Sequence, residues 1–128
     1  MFRALPLVTV AAAHYGAPPC LADEMMGSLP DGKVMCAPQC AALTHKCAID
    51  VPAGVSATPT CMFKGSDKKN YCGTLCYYDK QCDVANGAVC DIVGKNVGTC
   101  AYPAPANGGG MEMTVGEAPF GRAPQLAV

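Results

Sequence analysis

Ten cysteines among 128 residues are the side chains with the most chemistry to offer: Cys20, Cys36, Cys40, Cys47, Cys61, Cys72, Cys76, Cys82, Cys90 and Cys100. Thiolates hold metals, exchange electrons or close disulfides, and spacing separates these uses. Zinc sites present C-x2-C knuckles or Cys/His sets, whereas the short spacings here are C-x3-C and only His14 and His45 are present. A thiol oxidoreductase needs C-x-x-C at a helix N-terminus, which is missing. An even count with turn formers between the cysteines, as in the run from Tyr71 to Tyr102, predicts five disulfides and no free thiol. Such a framework belongs to an oxidising compartment.

Other chemistry is absent from the pattern. There is no G-x-S-x-G, no H-E-x-x-H and no phosphate-cradling glycine loop, so no catalytic, cofactor or metal residues are assigned and the chain reads as a non-enzyme. A net charge of -1 supplies no field for nucleic acid. His45, in T-H-K-C, reads as a solvent-facing loop residue. The turn between Cys61 and Cys72 carries Lys64, Lys68 and Lys69, a candidate contact loop whose plainer reading is a solvated charged tip.

The elements that would position these residues are short. A-V-C-D-I-V and V-G-T-C-A-Y flank Gly94-Lys95-Asn96 and predict a β-hairpin, with Asn96 tolerating the left-handed conformation. T-C-M-F-K and N-Y-C-G-T-L-C flank G-S-D-K-K and predict a second. Pro30-Asp31-Gly32 reads as a turn, and Leu21 to Met26 as at most about two turns of helix. Cys36 to Cys72 and Cys40 to Cys76 are each 36 positions apart, which predicts an internal repeat. The expected fold class is therefore small and disulfide-rich, mostly irregular with short β-hairpins, in two pseudo-repeated halves over about 36–63 and 72–102.

The ends read differently. Met1-Phe2-Arg3 followed by A-L-P-L-V-T-V-A-A-A has the charge and the short apolar run of a secretory signal, so residues 1–14 are read as a signal peptide. Small residues offer cuts after Ala13 or after Ala22, and the earlier one keeps all ten cysteines. An uncleaved apolar N-terminus buried on the domain is the alternative. No run is long enough for a transmembrane helix. The disulfide-rich domain is placed at 15–103. Residues 104–128 open with linker composition, P-A-P-A-N-G-G-G, and read as a flexible tail. Within it Met111, Met113 and Val115 share one face of an extended strand, a candidate partner-binding segment that adds to a sheet edge or lies on a partner.

Taking Cys36, Cys40, Cys47 and Cys61 as counterparts of Cys72, Cys76, Cys82 and Cys100, the repeat predicts Cys47–Cys61 and Cys82–Cys100. Cys76–Cys90, Cys20–Cys40 and Cys36–Cys72 complete the scheme. Its main competitor pairs Cys61 with Cys72, directly opposed across a hairpin.

Y-G-A-P-P-C, C-A-I-D-V-P-A-G-V-S-A-T-P-T-C, Y-C-G-T-L-C and G-T-C-A-Y-P together resemble a family of small cysteine-rich secreted proteins of dinoflagellate and stramenopile algae, over Tyr15 to Pro103. The resemblance implies secretion and contributes no catalytic residue. More distantly, C-x-x-D-x-x-C followed by G-x-x-C is similar to whey-acidic-protein and antistasin-like inhibitors, although the adjacent Cys pair of the former is absent. The expected function is a non-enzymatic, secreted, disulfide-stapled binding or extracellular matrix/cell-surface module that meets a protein partner through its loops or tail. One alternative is a small serine protease inhibitor using the lysine loop. The other, from the algal resemblance, is an accessory subunit of a photosynthetic complex in the thylakoid lumen.

Overall fold

Short runs between turn formers become seven strands: β1 Glu24–Ser28, β2 Val34–Pro38, β3 Thr58–Gly65, β4 Asn70–Cys76, β5 Val89–Gly94, β6 Val97–Ala101 and β7 Met111–Val115. The structure, a computed structural model, describes residues 13–94, 96–106 and 108–116. One sheet holds all seven strands in the order β2-β1-β7-β3-β4-β6-β5. It curls, because isolated antiparallel bridges Val34↔Tyr102 and Gln39↔Tyr71 bring β2 back against the far strands. Every residue of β2 is buried for this reason. Two single turns of 3-10 helix, Asp79–Gln81 and Val84–Asn86, are the only helical elements among the described residues.

Both expected hairpins form, and Asn96 has φ 56° in the turn between β5 and β6, while Lys95 lies outside the described residues. A third hairpin, β1–β2, turns at Pro30-Asp31-Gly32 and matches β3–β4 at the 36-residue offset. Gly27↔Met35 and Ser28↔Val34 correspond to Phe63↔Tyr71 and Lys64↔Asn70. The turns repeat the same bonds: Leu29 N–H donates to Lys33 C=O and Gly65 N–H to Lys69 C=O, both at 2.9 Å. The Asp31 and Asp67 carboxylates each accept from the N–H two residues on, at 3.1 and 3.0 Å. This match covers the hairpins only. After β2 the chain runs irregularly through 39–57, whereas after β4 it makes the two helical turns and the β5–β6 hairpin.

Three expectations are corrected. Residues 24–26 are strand, not helix, since they pair with β2 from Glu24↔Pro38 to Met26↔Cys36 and tertiary pairing outweighs a weak local helix preference. The chain is one strand-rich sheet, not mostly irregular. Residues 111–115 are not a flexible tail: β7 runs parallel to β1 and antiparallel to β3 in the interior of the sheet order, and Gly116 N–H donates to Met62 C=O at 2.7 Å. Two neighbours satisfy the backbone of β7 and bury Met113 to 1% exposure, which offsets the ordering entropy.

The main core gathers Leu29, Met35, Met62, Phe63, Tyr71 and Met113. A second cluster surrounds Tyr102 with Val34, Ala57 and the Cys82–Cys100 bridge, and a third places Tyr15 against Cys40, Cys61 and Cys72. Close approach explains Gly73, where a Cβ would sit 2.6 Å from the Phe63 ring and 2.8 Å from Thr99 Oγ1.

Candidate functional site

All ten cysteines are paired, as Cys20–Cys36, Cys40–Cys61, Cys47–Cys72, Cys76–Cys90 and Cys82–Cys100. The last two follow the expected scheme. Cys47–Cys61, Cys20–Cys40 and Cys36–Cys72 do not form, and neither does the competitor Cys61–Cys72. Cys61 and Cys72 are directly opposed across β3–β4, but the loop after β2 folds over that hairpin, so each bonds outward to Cys40 and Cys47 instead. The two bridges touch, with Cys40 Sγ 3.5 Å from Cys72 Sγ. Sulfurs of Cys40, Cys47 and Cys72 thus cluster as a thiolate site would, and so do those of Cys76, Cys82 and Cys100. Oxidised sulfur has no thiolate to give a metal, so these clusters are structural staples.

The lysines of the candidate contact loop are all exposed, Lys64 near the end of β3, where it pairs with Asn70 and Thr114, and Lys68 and Lys69 on the β3–β4 turn. Lys68 takes φ 71° and donates its N–H to Gly65 C=O at 2.9 Å. Asp67 fixes the turn, accepting from Lys69 N–H and, at 2.6 Å, from the Tyr71 hydroxyl. The Tyr71 hydroxyl bond pulls the Asp67 pKa below the usual carboxylate range. Burial and that carboxylate push Tyr71 up to about 12. Met111, Met113 and Val115 do share one face, as alternation predicts, but that face packs into the core of the same chain. As a partner-binding surface they are already spent. His45 is exposed, at φ 59°.

The densest polar constellation lies at the other end. Tyr15 is 5% exposed at φ 66°. Its N–H donates to Glu24 Oε2 at 2.8 Å, its hydroxyl donates to Ala48 C=O at 2.7 Å, and its carbonyl lies 3.0 Å from the Tyr102 hydroxyl. Burial, with Asp50 and Glu24 nearby, holds the Tyr15 phenol well above its ordinary pKa. Tyr15 thereby pins the N-terminal segment to the loop that carries Asp50. His14 stands directly before it. Its Nε2 lies 2.8 Å from Asp23 Oδ2, and its Nδ1 lies 2.8 and 3.0 Å from the two Asp50 oxygens. Its backbone N–H donates to Asp50 Oδ2 at 3.1 Å. A neutral imidazole donates from one nitrogen only, so two facing carboxylates favour the imidazolium. The bond to Asp23 leads in raising the His14 pKa, burial opposes it, and Asp50 adds to it. Asp50 is lowered in turn by His14.

Beside this clamp an open cleft of 370 Å³ is lined by Gly16, Pro19, Leu21, Glu24, Pro52 and Asp83, among others. Asp83 is tied up there, accepting from Asn86 Nδ2 at 2.9 Å and lying 3.2 Å from the Tyr102 hydroxyl. Sequence reasoning missed Tyr15, Asp23, Asp50 and the retention of His14 against the domain. Only the small-residue run before His14 carried a signal. The approach of Asp50, 36 positions away, depends on how the loop folds.

Comparison with protein-family models, curated proteins and solved structures finds no match.

Proposed function

We propose that the protein is a non-enzymatic, secreted, disulfide-stapled module that binds a protein partner at an extracellular matrix or cell surface. The observation that carries this reading is the display of large apolar side chains on loops that the bridges hold rigid. Leu43 and Ile49 are 93% and 85% exposed on the loop after β2, which Cys40–Cys61 and Cys47–Cys72 clamp to the sheet. Tyr77 and Tyr78 are exposed where β4 leaves the sheet, just after the Cys76–Cys90 bridge. A loop fixed before contact loses little ordering entropy on binding, so a few apolar anchors suffice. Five bridges fit an oxidising extracellular or lumenal setting.

The test is the distribution of the protein between medium and cell-surface or matrix fractions of the producing cells. The Leu43→Ser/Ile49→Ser/Tyr77→Ser/Tyr78→Ser variant should shift to the medium while keeping its five bridges by mass. An unchanged distribution overturns the reading. Lys64, Lys68 and Lys69 favour the inhibitor alternative less, because their turn closes on its own hydrogen bonds and offers no extended run to a protease cleft. A trypsin inhibition assay decides that point. The lumenal alternative rests on the algal resemblance alone.

A further inference from the structure

We infer that the Cys40–Cys61 and Cys47–Cys72 bridges form a thiol-exchange relay, in which a low-molecular-weight thiol that bonds to Cys47 is answered, through Cys72 and Cys40, by a free thiol at Cys61. It goes beyond the binding-module reading and does not depend on it.

Three observations converge. The first is access. Cys47 is half-buried on the irregular run 39–57, whereas Cys40, Cys61 and Cys72 are 5%, 6% and 0% exposed. Exchange begins where a thiolate reaches a disulfide sulfur, so Cys47 is the entry point and Cys72 the group expelled. The second is contact between the bridges. Cys72 Sγ lies 3.5 Å from Cys40 Sγ, at the outer edge of the separation of about 3–3.5 Å from which well-placed atoms react. The sulfurs of Cys40, Cys47 and Cys72 all lie within 4.8 Å of one another. The third is backbone register. Cys40 N–H donates to Asn70 C=O at 2.9 Å and Gln39 bridges Tyr71, which sets Cys40 beside the stretch of β4 that carries Cys72. These bonds keep the two residues adjacent whichever sulfurs are joined.

The steps balance. The incoming thiolate bonds to Cys47 Sγ as the Cys47–Cys72 bond breaks, and the electron pair leaves on Cys72. A thiolate at a fully buried position is poorly solvated, which favours its onward attack on the disulfide it touches. Cys72 Sγ then bonds to Cys40 Sγ and the Cys40–Cys61 bond breaks. Cys61 takes the electron pair and, through solvent, the proton that the incoming thiol gave up. Two disulfide bonds are present before and two after, so sulfur is neither oxidised nor reduced overall. The loop that displays Leu43 and Ile49 has lost its tie at Cys47 and keeps the one at Cys40. It also keeps the Tyr15 hydroxyl bond to Ala48 C=O and the His14 contacts to Asp50.

The experiment incubates the oxidised full chain with reduced glutathione, quenches in acid, denatures, alkylates free thiols with N-ethylmaleimide at low pH and maps non-reduced peptides by mass spectrometry. The expected product carries glutathione on Cys47, a Cys40–Cys72 linkage and the alkyl label on Cys61. Label on Cys72 with Cys40–Cys61 intact overturns the proposal, because the first bridge has then opened without a relay. A first adduct on another cysteine, or bridges that all survive the treatment, overturns it as well. In the Cys40→Ala/Cys61→Ala variant the relay has no acceptor, and the label should move to Cys72. An unlabelled Cys72 in that variant would mean that Cys47 is not the entry point.

Discussion

The β1–β2 and β3–β4 hairpins share register, turn bonds and a capping aspartate, yet they are finished differently. The left-handed turn position is Gly32 in one and Lys68 in the other. The first hairpin is tied by one bridge, from Cys20 to Cys36 in β2, and the second by three, from Cys61 and Cys72 to the loop after β2 and from Cys76 to Cys90 in β5. Asp31 faces a second carboxyl, Asp91 of β5, where Asp67 faces the Tyr71 phenol. One backbone solution therefore serves two surroundings, and cross-links and side-chain partners, not the hairpin itself, set how firmly each is held.

The bridges offer the largest break in this comparison. Cys47→Ala/Cys72→Ala should cost about 3–5 kcal/mol, since it opens the longer loop and leaves a gap at the fully buried Cys72. Cys20→Ala/Cys36→Ala should cost about 2–4 kcal/mol, because it closes a shorter loop and Cys20 is only half-buried. Urea denaturation of the two variants measures both, and equal midpoints would mean that the hairpins depend on their bridges alike.

Exchanging the turn residues is a smaller change with opposite signs. Lys68→Gly relieves a side chain at φ 71° and should stabilise the protein by about 1 kcal/mol, while Gly32→Lys, at φ 94°, should destabilise it by about 1 kcal/mol or more. Thermal denaturation reads both. If Lys68→Gly destabilises, the lysine has a role in the turn beyond its backbone.

The smallest effect separates the two turns by pH. Burial, with the Asp31 carboxyl beside it, pushes Asp91 up to about 6. Its protonated form is the one the fold prefers, so its contribution is full below the ordinary carboxylate range and is lost as pH rises toward 6. Asp67, held down by the Tyr71 hydroxyl, acts in the other sense, contributing above the ordinary range and losing its contribution as pH falls through its lowered pKa. Asp91→Asn should flatten the decline in stability between about pH 4 and 6, and carboxyl NMR titration should place Asp91 well above Asp67. A midpoint for Asp91 in the ordinary range would remove this contrast.

What could be read from the sequence follows the distance between interacting residues. Cys76–Cys90 and Cys82–Cys100 close local loops around one hairpin, and turn chemistry alone brought them within reach. Cys40 and Cys47 were misassigned because their partners depend on a long irregular loop crossing onto β3–β4, which no local propensity encodes. The alternation of Met111, Met113 and Val115 marked a strand, but its neighbours, near Gly27 and Phe63, lie dozens of residues upstream. Low-complexity flanks made that strand read as tail. The 36-residue spacing of cysteines was a trace of two hairpins with one register, and it misled once it was extended to pairing.

The place of β7 bears on how the chain is made. Among the described residues it is the last strand in the chain, yet it pairs with β1 on one side and β3 on the other. Until it is made, each of those strands presents a row of unpaired amides and carbonyls, and every bridge can already be closed, because all ten cysteines precede it. A nascent molecule held at that stage is a covalently locked receptor for one short segment, and at high concentration it accepts that segment from a neighbour as readily as its own. Strand-exchanged dimers are the by-product to expect from folding at high concentration, and slower translation or dilution is the way to avoid them.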